Sequence, residues 1–581
     1  MKKIIYSAAL IALAVMSSCK REYLDAGDNP NNPTVSDALL VLPNALNVTA
    51  GRLPHNEIGA FWGGHWSPTT SVTGFTEEKT YNAQASFSTA GNVWVSCYNN
   101  IKDYDFVEKD AADKKLKTLQ GIAQVMKVYN FQLLADAYGD IPYSEALQGE
   151  TGNTSPAYDS AKDKVYPGLI KDLDVALANL AIPTSVTNTP PNKEDIYFAG
   201  DRIKWMRFAN TLKLRILMRQ SYVADKDAYV KAQILAIKDP TSSGALGGQI
   251  FLGIYEDVTS SPGYLKTSGK QNQFWNNYGF TEADANAARQ QFFGISEYAR
   301  QQIEGATTTT GGVPPRDFQR LVRIAKPVKV AATATFKYVF TGIPFGAQAS
   351  TFGYPVISSF GVGFLRSYDQ KMVVMTASEA LMLQAEAVQR GYMAGNFKTL
   401  FRDAVRSSFA LLRAGNAPLT GPRTSPAGNY TDWEGINEDL NYDALTLPSK
   451  DIVNFDATQA EAEKAADNYM NYSENAGTVA DINGPNPLKT IMEQKWICMI
   501  GFSGFEAWCD VRRYQNVDGS VSPILNIPVS VSTTSAASQR PLRLPYPTVE
   551  QQFNNVNLNA AIAAQPGLTT VVSKGIFWDI K

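Results

Sequence analysis

Leu116, Leu119, Ile122, Met126, Tyr129, Leu133 and Ala137 fall three or four residues apart. Only an α-helix brings all seven onto one face, and an apolar face of that length must be covered by other elements. The pattern ends at Gly139, a residue suited to the turn that closes a helix. Val165, Tyr166, Leu169, Ile170, Leu173, Leu177 and Leu180 share a second face. Asp201 is a candidate N-cap for a third helix, with Trp205, Phe208, Leu212, Ile216 and Arg219 in register. The chain is therefore expected to be mainly α.

A pair of helices is legible further on. Thr376 and Glu379 have the spacing of a capping box, Ala380, Leu383 and Ala387 form a narrow face, and Gly391 closes the helix. Asn396 then starts a partner with Phe397, Leu400, Phe401, Ala404, Val405 and Leu412 inward. Two helices joined by a short turn have the size of one tetratricopeptide-type hairpin, here an irregular one. Between Thr241 and Ser367 periodicity fails, except for a helix-like stretch carrying Phe292, Ile295, Ala299 and Ile303. It fails again from Gly415 to Asp451 and from Asn516 onward. Long irregular segments on a helical scaffold are where binding surfaces usually sit.

The first residues concern location. Lys2 and Lys3 precede an apolar run from Ile4 to Val15, which is too short to span a bilayer, and Met16-Ser17-Ser18 lead into Cys19. Residues 1–18 are expected to be a signal peptide. Cys19 resembles the acylated cysteine of a lipobox, which would anchor the chain to a membrane. Residues 19–34, ending in Asp28-Asn29-Pro30-Asn31-Asn32-Pro33, have the composition of a flexible tether, and 35–581 are expected to form a single domain.

A formal charge of −2 gives no footprint for nucleic acid. Aromatics reach 11%, a surplus that suits stacking on sugars or peptides. Beyond Cys19, Cys97, Cys498 and Cys509 have no metal-site spacing and read as buried thiols, with a Cys498–Cys509 disulfide as the alternative. Two histidines, His55 and His65, leave little room for imidazole-based catalysis or metal chemistry, and no cofactor is expected.

Four stretches resemble the SusD/RagB family of outer-membrane nutrient-binding lipoproteins. They are Leu134-Ala135-Asp136-Ala137-Tyr138-Gly139-Asp140-Ile141-Pro142-Tyr143; Asp195 to Asp201 continuing through Trp205 to Arg215; Glu493 to Arg513; and Arg543-Leu544-Pro545-Tyr546-Pro547 with Glu550 and Asn554. With the lipobox they follow the family order along the chain. The resemblance implies a tetratricopeptide-like helix-pair scaffold with a loop-rich ligand face. It implies a non-enzyme that captures glycans or peptides and sits as a lid on a SusC-like, TonB-dependent transporter. Trp205, Arg215, Asp510 and Arg512 within these stretches are expected to pack the scaffold rather than touch ligand.

Three clusters are candidates for the ligand face. Phe274-Trp275-Asn276-Asn277-Tyr278 interleaves rings with amides that can donate to and accept from sugar hydroxyls, with Trp275 and Tyr278 as exposed platforms; a loop anchored by burial of Trp275 is the alternative. Phe61-Trp62-Gly63-Gly64-His65-Trp66 could turn Trp62 and Trp66 the same way, with glycines that admit a ligand to the backbone; burial of both rings is the alternative. Phe352 and Tyr354 flank Gly353 in a third, smaller cluster. Two other functions stay open on the residues alone. A surface glycoside hydrolase would need a carboxylate pair at catalytic spacing, and a protein-interaction scaffold would need only the helical groove.

Overall fold

A computed structural model describes residues 37–304, 317–326, 328–329, 338–354, 356–415, 456–477, 480–514, 525–532 and 540–579. Cys19, the expected signal peptide and the tether to residue 34 lie outside them, as do residues 416–455.

The first half contains α1 (Ala38–Ala50), α2 (Leu53–Trp62), β1 (Trp66–Pro68), α3 (Ser88–Asp113), α4 (Lys117–Tyr138), α5 (Tyr166–Ala181), α6 (Arg202–Arg219), β2 (Val258–Ser260), α7 (Gln273–Tyr278), β3 (Phe293–Ile295) and α8 (Glu297–Glu304). The second contains α9 (Phe318–Ile324), β4 (Met372–Met375), α10 (Ala377–Gln389), α11 (Phe397–Leu412), α12 (Gln459–Ala476), α13 (Pro487–Cys498) and α14 (Gly504–Arg513), with further short elements in both.

Local chemistry fixes the helix ends. Asp201 accepts from the backbone N–H of Ile203 and Lys204 and starts α6, and Asn396 does the same for α11 through Lys398 and Thr399. Caps of this kind contribute about 1 kcal/mol each. Thr376 accepts from the Glu379 N–H, but the Glu379 carboxylate turns inward to Arg215, 3.3 Å away, instead of closing the expected box. A complete capping box stands at α12, between Thr458 and Glu461.

Successive helices pack on one another from α3 to α6, and α10 and α11 form the expected hairpin, flanked by α12 and α13. Packing of α6 on α10 joins the two arrays, and α2 crosses α14. That crossing depends on glycine. A Cβ on Gly59 would lie 2.3 Å from the Phe505 backbone, and one on Gly504 would lie 2.4 Å from the Asn56 carbonyl.

A buried ion network fills the junction. Arg215 and Arg219 of α6 face Glu379 of α10, Asp136 of α4 and Glu506 of α14. Lys495 meets Asp510 at 2.8 Å, and Arg513 meets Glu386 at 2.7 Å. Burial opposes the charge on Glu386, yet Arg513 and Arg390 outweigh it and hold the carboxyl at about 2. Arg512 stacks 3.7 Å from the Trp508 ring and donates to the carbonyls of Leu542 and Asp136. Trp205 is buried and donates its Nε1–H to Asp195 at 2.7 Å. The Arg543–Tyr546 stretch closes on the end of α4, where the Leu544 N–H meets the Ala137 carbonyl and the Tyr546 hydroxyl meets the Asp140 carbonyl. The four motif stretches thus meet in space and hold the scaffold together.

One element differs from expectation. Phe292 and Ile295 are not helical: Phe293–Ile295 is strand β3, paired antiparallel with β1 so that Trp66 faces Ile295 and Pro68 faces Phe293. Only Ala299 and Ile303 of that pattern lie on a helix, α8, where both are buried. A spacing of three is shared by a helix and by a fully buried short strand, and the strand's partner lies far away in sequence. Among the described residues no helix is long and apolar enough to cross a membrane. Cys97, Cys498 and Cys509 are buried, and Cys97 accepts from the Arg52 guanidinium.

Candidate functional site

The two tryptophans near the N-terminus do not share an exposed turn. Trp62 ends α2 with its side chain fully buried, its ring 5.1 Å from Trp508 and its Nε1–H donating to the Glu78 carbonyl. Trp66 opens β1, buried to 3% exposure and 4.4 Å from Phe360. The intervening glycines serve contacts within the protein. A Cβ on Gly63 would lie 2.9 Å from the Trp508 nitrogen, and Gly64 takes a φ of +81° against Ile527. His65 lies 3.0 Å from the Trp496 carbonyl through Nε2, and burial lowers its pKa to about 3, so it stays neutral.

The second cluster is a helix rather than a loop. Asn272 caps α7 by accepting from the Trp275 N–H. Trp275 and Tyr278 are then turned inward at 4% and 1% exposure, so neither is the exposed platform the sequence suggests. Asn276 is exposed and Asn277 half-buried. The physical reason is the helix itself: Phe274, Trp275 and Tyr278 form its apolar side and leave the amides outward.

The buried rings nevertheless meet. Trp66 lies 6.2 Å from both Phe274 and Tyr278, and Phe360 packs 5.4 Å from Tyr278 and 5.5 Å from Phe364. Trp66, Phe274, Tyr278 and Phe364, with Glu57, Gln370 and Lys371, wall a cavity of about 40 Å³. A single water needs roughly 10–15 Å³ of such space, so the cavity admits a few waters and no hexose ring.

A separate edge is built by three irregular segments. The Thr69 N–H donates to the Phe292 carbonyl at 2.8 Å, the Thr70 N–H to the Phe352 carbonyl at 3.2 Å, and the Tyr354 N–H to Ser71 Oγ at 2.9 Å. The Arg289 N–H donates to the Asn277 carbonyl at 3.1 Å. These bonds gather Phe75, Phe292, Phe352 and Tyr354, all half-buried, beside exposed Ser71, Thr73 and Gln291. Phe75 stands edge-on to Phe292 at 6.4 Å, in a left-handed conformation with φ +62°. The Arg289 guanidinium lies among the rings, 5.0 Å from Phe293, 5.8 Å from Phe75 and 5.9 Å from Phe292 and Tyr278. Glu57 holds it at 2.5 and 2.8 Å and also accepts from the Tyr278 hydroxyl. Burial raises the Glu57 carboxyl, and the Arg289 charge works against that rise.

Asn277, Phe352 and Tyr354 are thus drawn toward one edge above Trp66 and Tyr278; Asn276 is exposed on α7, and Trp62 and Trp275 lie elsewhere in the core. Sequence reasoning missed Phe75, Arg289 and Phe292. A signal was available, because Arg289-Gln290-Gln291-Phe292 alternates polar groups with a ring as Asn276-Asn277-Tyr278 does. Half-exposed rings flanked by amides, hydroxyls and a guanidinium suit a ligand with an apolar face and many hydroxyls. Among the described residues no group of His, Cys, Asp and Glu could hold a metal ion.

A family model described as starch-binding and associating with the outer membrane matches residues 30–243, and one for the SusD and RagB outer-membrane lipoproteins matches residues 317–579. The loop that carries α7, Arg289 and Phe292 falls between the two. A solved chitin-binding protein is 22% identical, with a TM-score of 0.64 over 94% of this chain and 99% of its own. A SusD/RagB family protein from Bacteroides thetaiotaomicron is 20% identical, with a TM-score of 0.64 over 94% of this chain and 99% of its own. A SusD homologue from Bacteroides fragilis is 18% identical, with the same TM-score over 94% of this chain and 100% of its own. No curated protein matches the chain. At these identities the solved structures speak for the fold, and the helical scaffold is theirs from end to end. Because the two matches to SusD-type families lie in order along that shared scaffold, the chain belongs to the SusD/RagB family of outer-membrane lipoproteins.

Proposed function

We propose that this protein captures oligosaccharides at the aromatic edge of Phe75, Phe292, Phe352 and Tyr354 and passes them to a SusC-like, TonB-dependent transporter. The observation that carries the reading is the gathering of four half-exposed rings and their flanking polar groups by three irregular segments on a rigid helical base. Phe352, Tyr354, Asn276 and Asn277 are contacts in this reading; Trp66 and Tyr278 support the edge from beneath. The description of one matching family as starch-binding and the name of the chitin-binding structure both favour a glycan over a peptide. Glu57 is engaged by Arg289 and Tyr278, which fits an edge that binds its ligand rather than cleaves it.

Cys19 is the proposed lipid anchor, residues 19–34 the tether and 35–581 the binding domain. A binder held this way on the cell surface still needs a separate barrel for passage. Isolation in mild detergent should bring such a barrel with the protein, and recovery of the protein alone would remove the handover. For the site, Phe292→Ala and Tyr354→Ala should each weaken glycan binding about tenfold, the loss of one stacking partner at about 1.4 kcal/mol, with the fold intact. Titration calorimetry against glycan and peptide panels measures this. Unchanged glycan affinity in both variants, or binding confined to peptides, would contradict the reading.

A further inference from the structure

We infer that Arg289 is the polar selector of the aromatic edge and that Glu57 beneath it tunes the edge to uncharged sugars; this rests on the reading of the edge as the glycan site. Arg289 sits where a selector must. Its guanidinium is ringed by Phe75, Phe292, Phe293 and Tyr278 within 5.9 Å of each centroid, and its side chain is 27% exposed, so it is fixed in place and still faces solvent. Glu57 binds the guanidinium through Nη1 and Nη2 from the buried side. A guanidinium has five N–H donors in a planar fork, so donors remain for a ligand on the exposed side. Both Glu57 oxygens are occupied, one by Nη1 and the Tyr278 hydroxyl and the other by Nη2, which leaves the carboxylate no part in direct contact.

The charge balance decides the ligand class. One guanidinium over one buried carboxylate is neutral as a unit, and Glu78 lies near enough to Glu57 for the two to repel. A uronic acid arriving at this edge would shed water from its carboxylate without meeting a net positive charge. A hydroxyl or an acetamido carbonyl meets the same donors and desolvates no charge. Neutral hexose or acetamido-hexose units are therefore favoured over uronate units. The bidentate grip on Glu57 is a feature of arginine that lysine lacks, so R289K should not substitute.

Titration of the intact protein with maltohexaose and chitohexaose as neutral probes and hexagalacturonate as the acidic probe tests this. The unaltered protein should bind at least one neutral probe and hold hexagalacturonate about tenfold more weakly or less, the size of one charge-assisted hydrogen bond. R289K and R289M should each lose about tenfold in neutral affinity, and E57Q should raise hexagalacturonate affinity relative to the neutral probes by a similar factor. Thermal melts of R289K and E57Q, whose shapes change little, separate binding from folding. Hexagalacturonate bound as tightly as the neutral probes would overturn the inference, as would an E57Q protein with unchanged preference. If F292A loses binding while R289K does not, the selector falls and the glycan site stands. Binding of none of the three probes would overturn both.

Discussion

Trp275 shows how one short helix reverses a residue's meaning. In a loop, a tryptophan between amides is a platform; on α7, behind the Asn272 cap, it packs 5.5 Å from Phe280 at 4% exposure. Trp275→Ala should therefore lower stability by about 3–5 kcal/mol, as large-to-small core changes do, and glycan affinity in the remaining folded protein should barely move. Chemical denaturation paired with calorimetry would show it, and a stable variant that fails to bind would return the ring to the ligand face. Glu78 carries a different kind of cost. Burial, helped by the charges of Glu77 and Glu57, raises its carboxyl to about 7. A carboxyl raised in the folded state contributes stability that is fully present below its unfolded pKa near 4.5 and is lost as pH rises through 7. Glu78→Gln should consequently flatten the fall in stability between pH 5 and 8 and gain up to about 3 kcal/mol at the alkaline end. Parallel pH profiles that leave the two proteins equally steep would show that Glu78 is not the titrating group.

Elements differ in how much of themselves they write into the sequence. Helices α4, α5, α6, α10 and α11 were legible because each is long enough for several turns of apolar spacing, and α6, α10 and α11 also carry their own caps in Asp201, Thr376 and Asn396. Strands β1 and β3 were not, because three residues hold no periodic signal and their pairing is set by the fold rather than by neighbours in sequence. The same limit hid the site. Asn277, Phe352 and Tyr354 could be nominated separately, but their approach to Phe75, Arg289 and Phe292 runs through backbone bonds such as Thr70 to Phe352 that no local pattern encodes. The crossing of α2 over α14 is another long-range feature, and it gives a sharp test. Gly59→Ala places a methyl against the Phe505 backbone, which cannot yield as a flexible side chain would, and overpacking of this sort costs about 1–3 kcal/mol. A melting temperature unaltered in that variant would mean that the two helices do not cross so closely.

At the scale of the whole molecule, rigidity and recognition are divided between different parts of the chain. The charges within the family-like stretches, among them Arg215, Glu506, Asp510 and Arg513, are buried and paired in the junction of the helical arrays. Removing one partner from such a network costs about 3–5 kcal/mol because a charge is left buried and alone, which ties these residues to the scaffold. In the proposed reading, recognition falls to the irregular segments around residues 69–75, 276–292 and 350–354, the second of which lies between the two family matches. Amide hydrogen exchange of the intact protein, free and saturated with a bound oligosaccharide, tests that division most directly. Capture at the edge requires new protection concentrated in those three segments, with the helices from α3 to α6 unchanged. Protection on the helical faces instead, with the three segments exchanging as before, would contradict it.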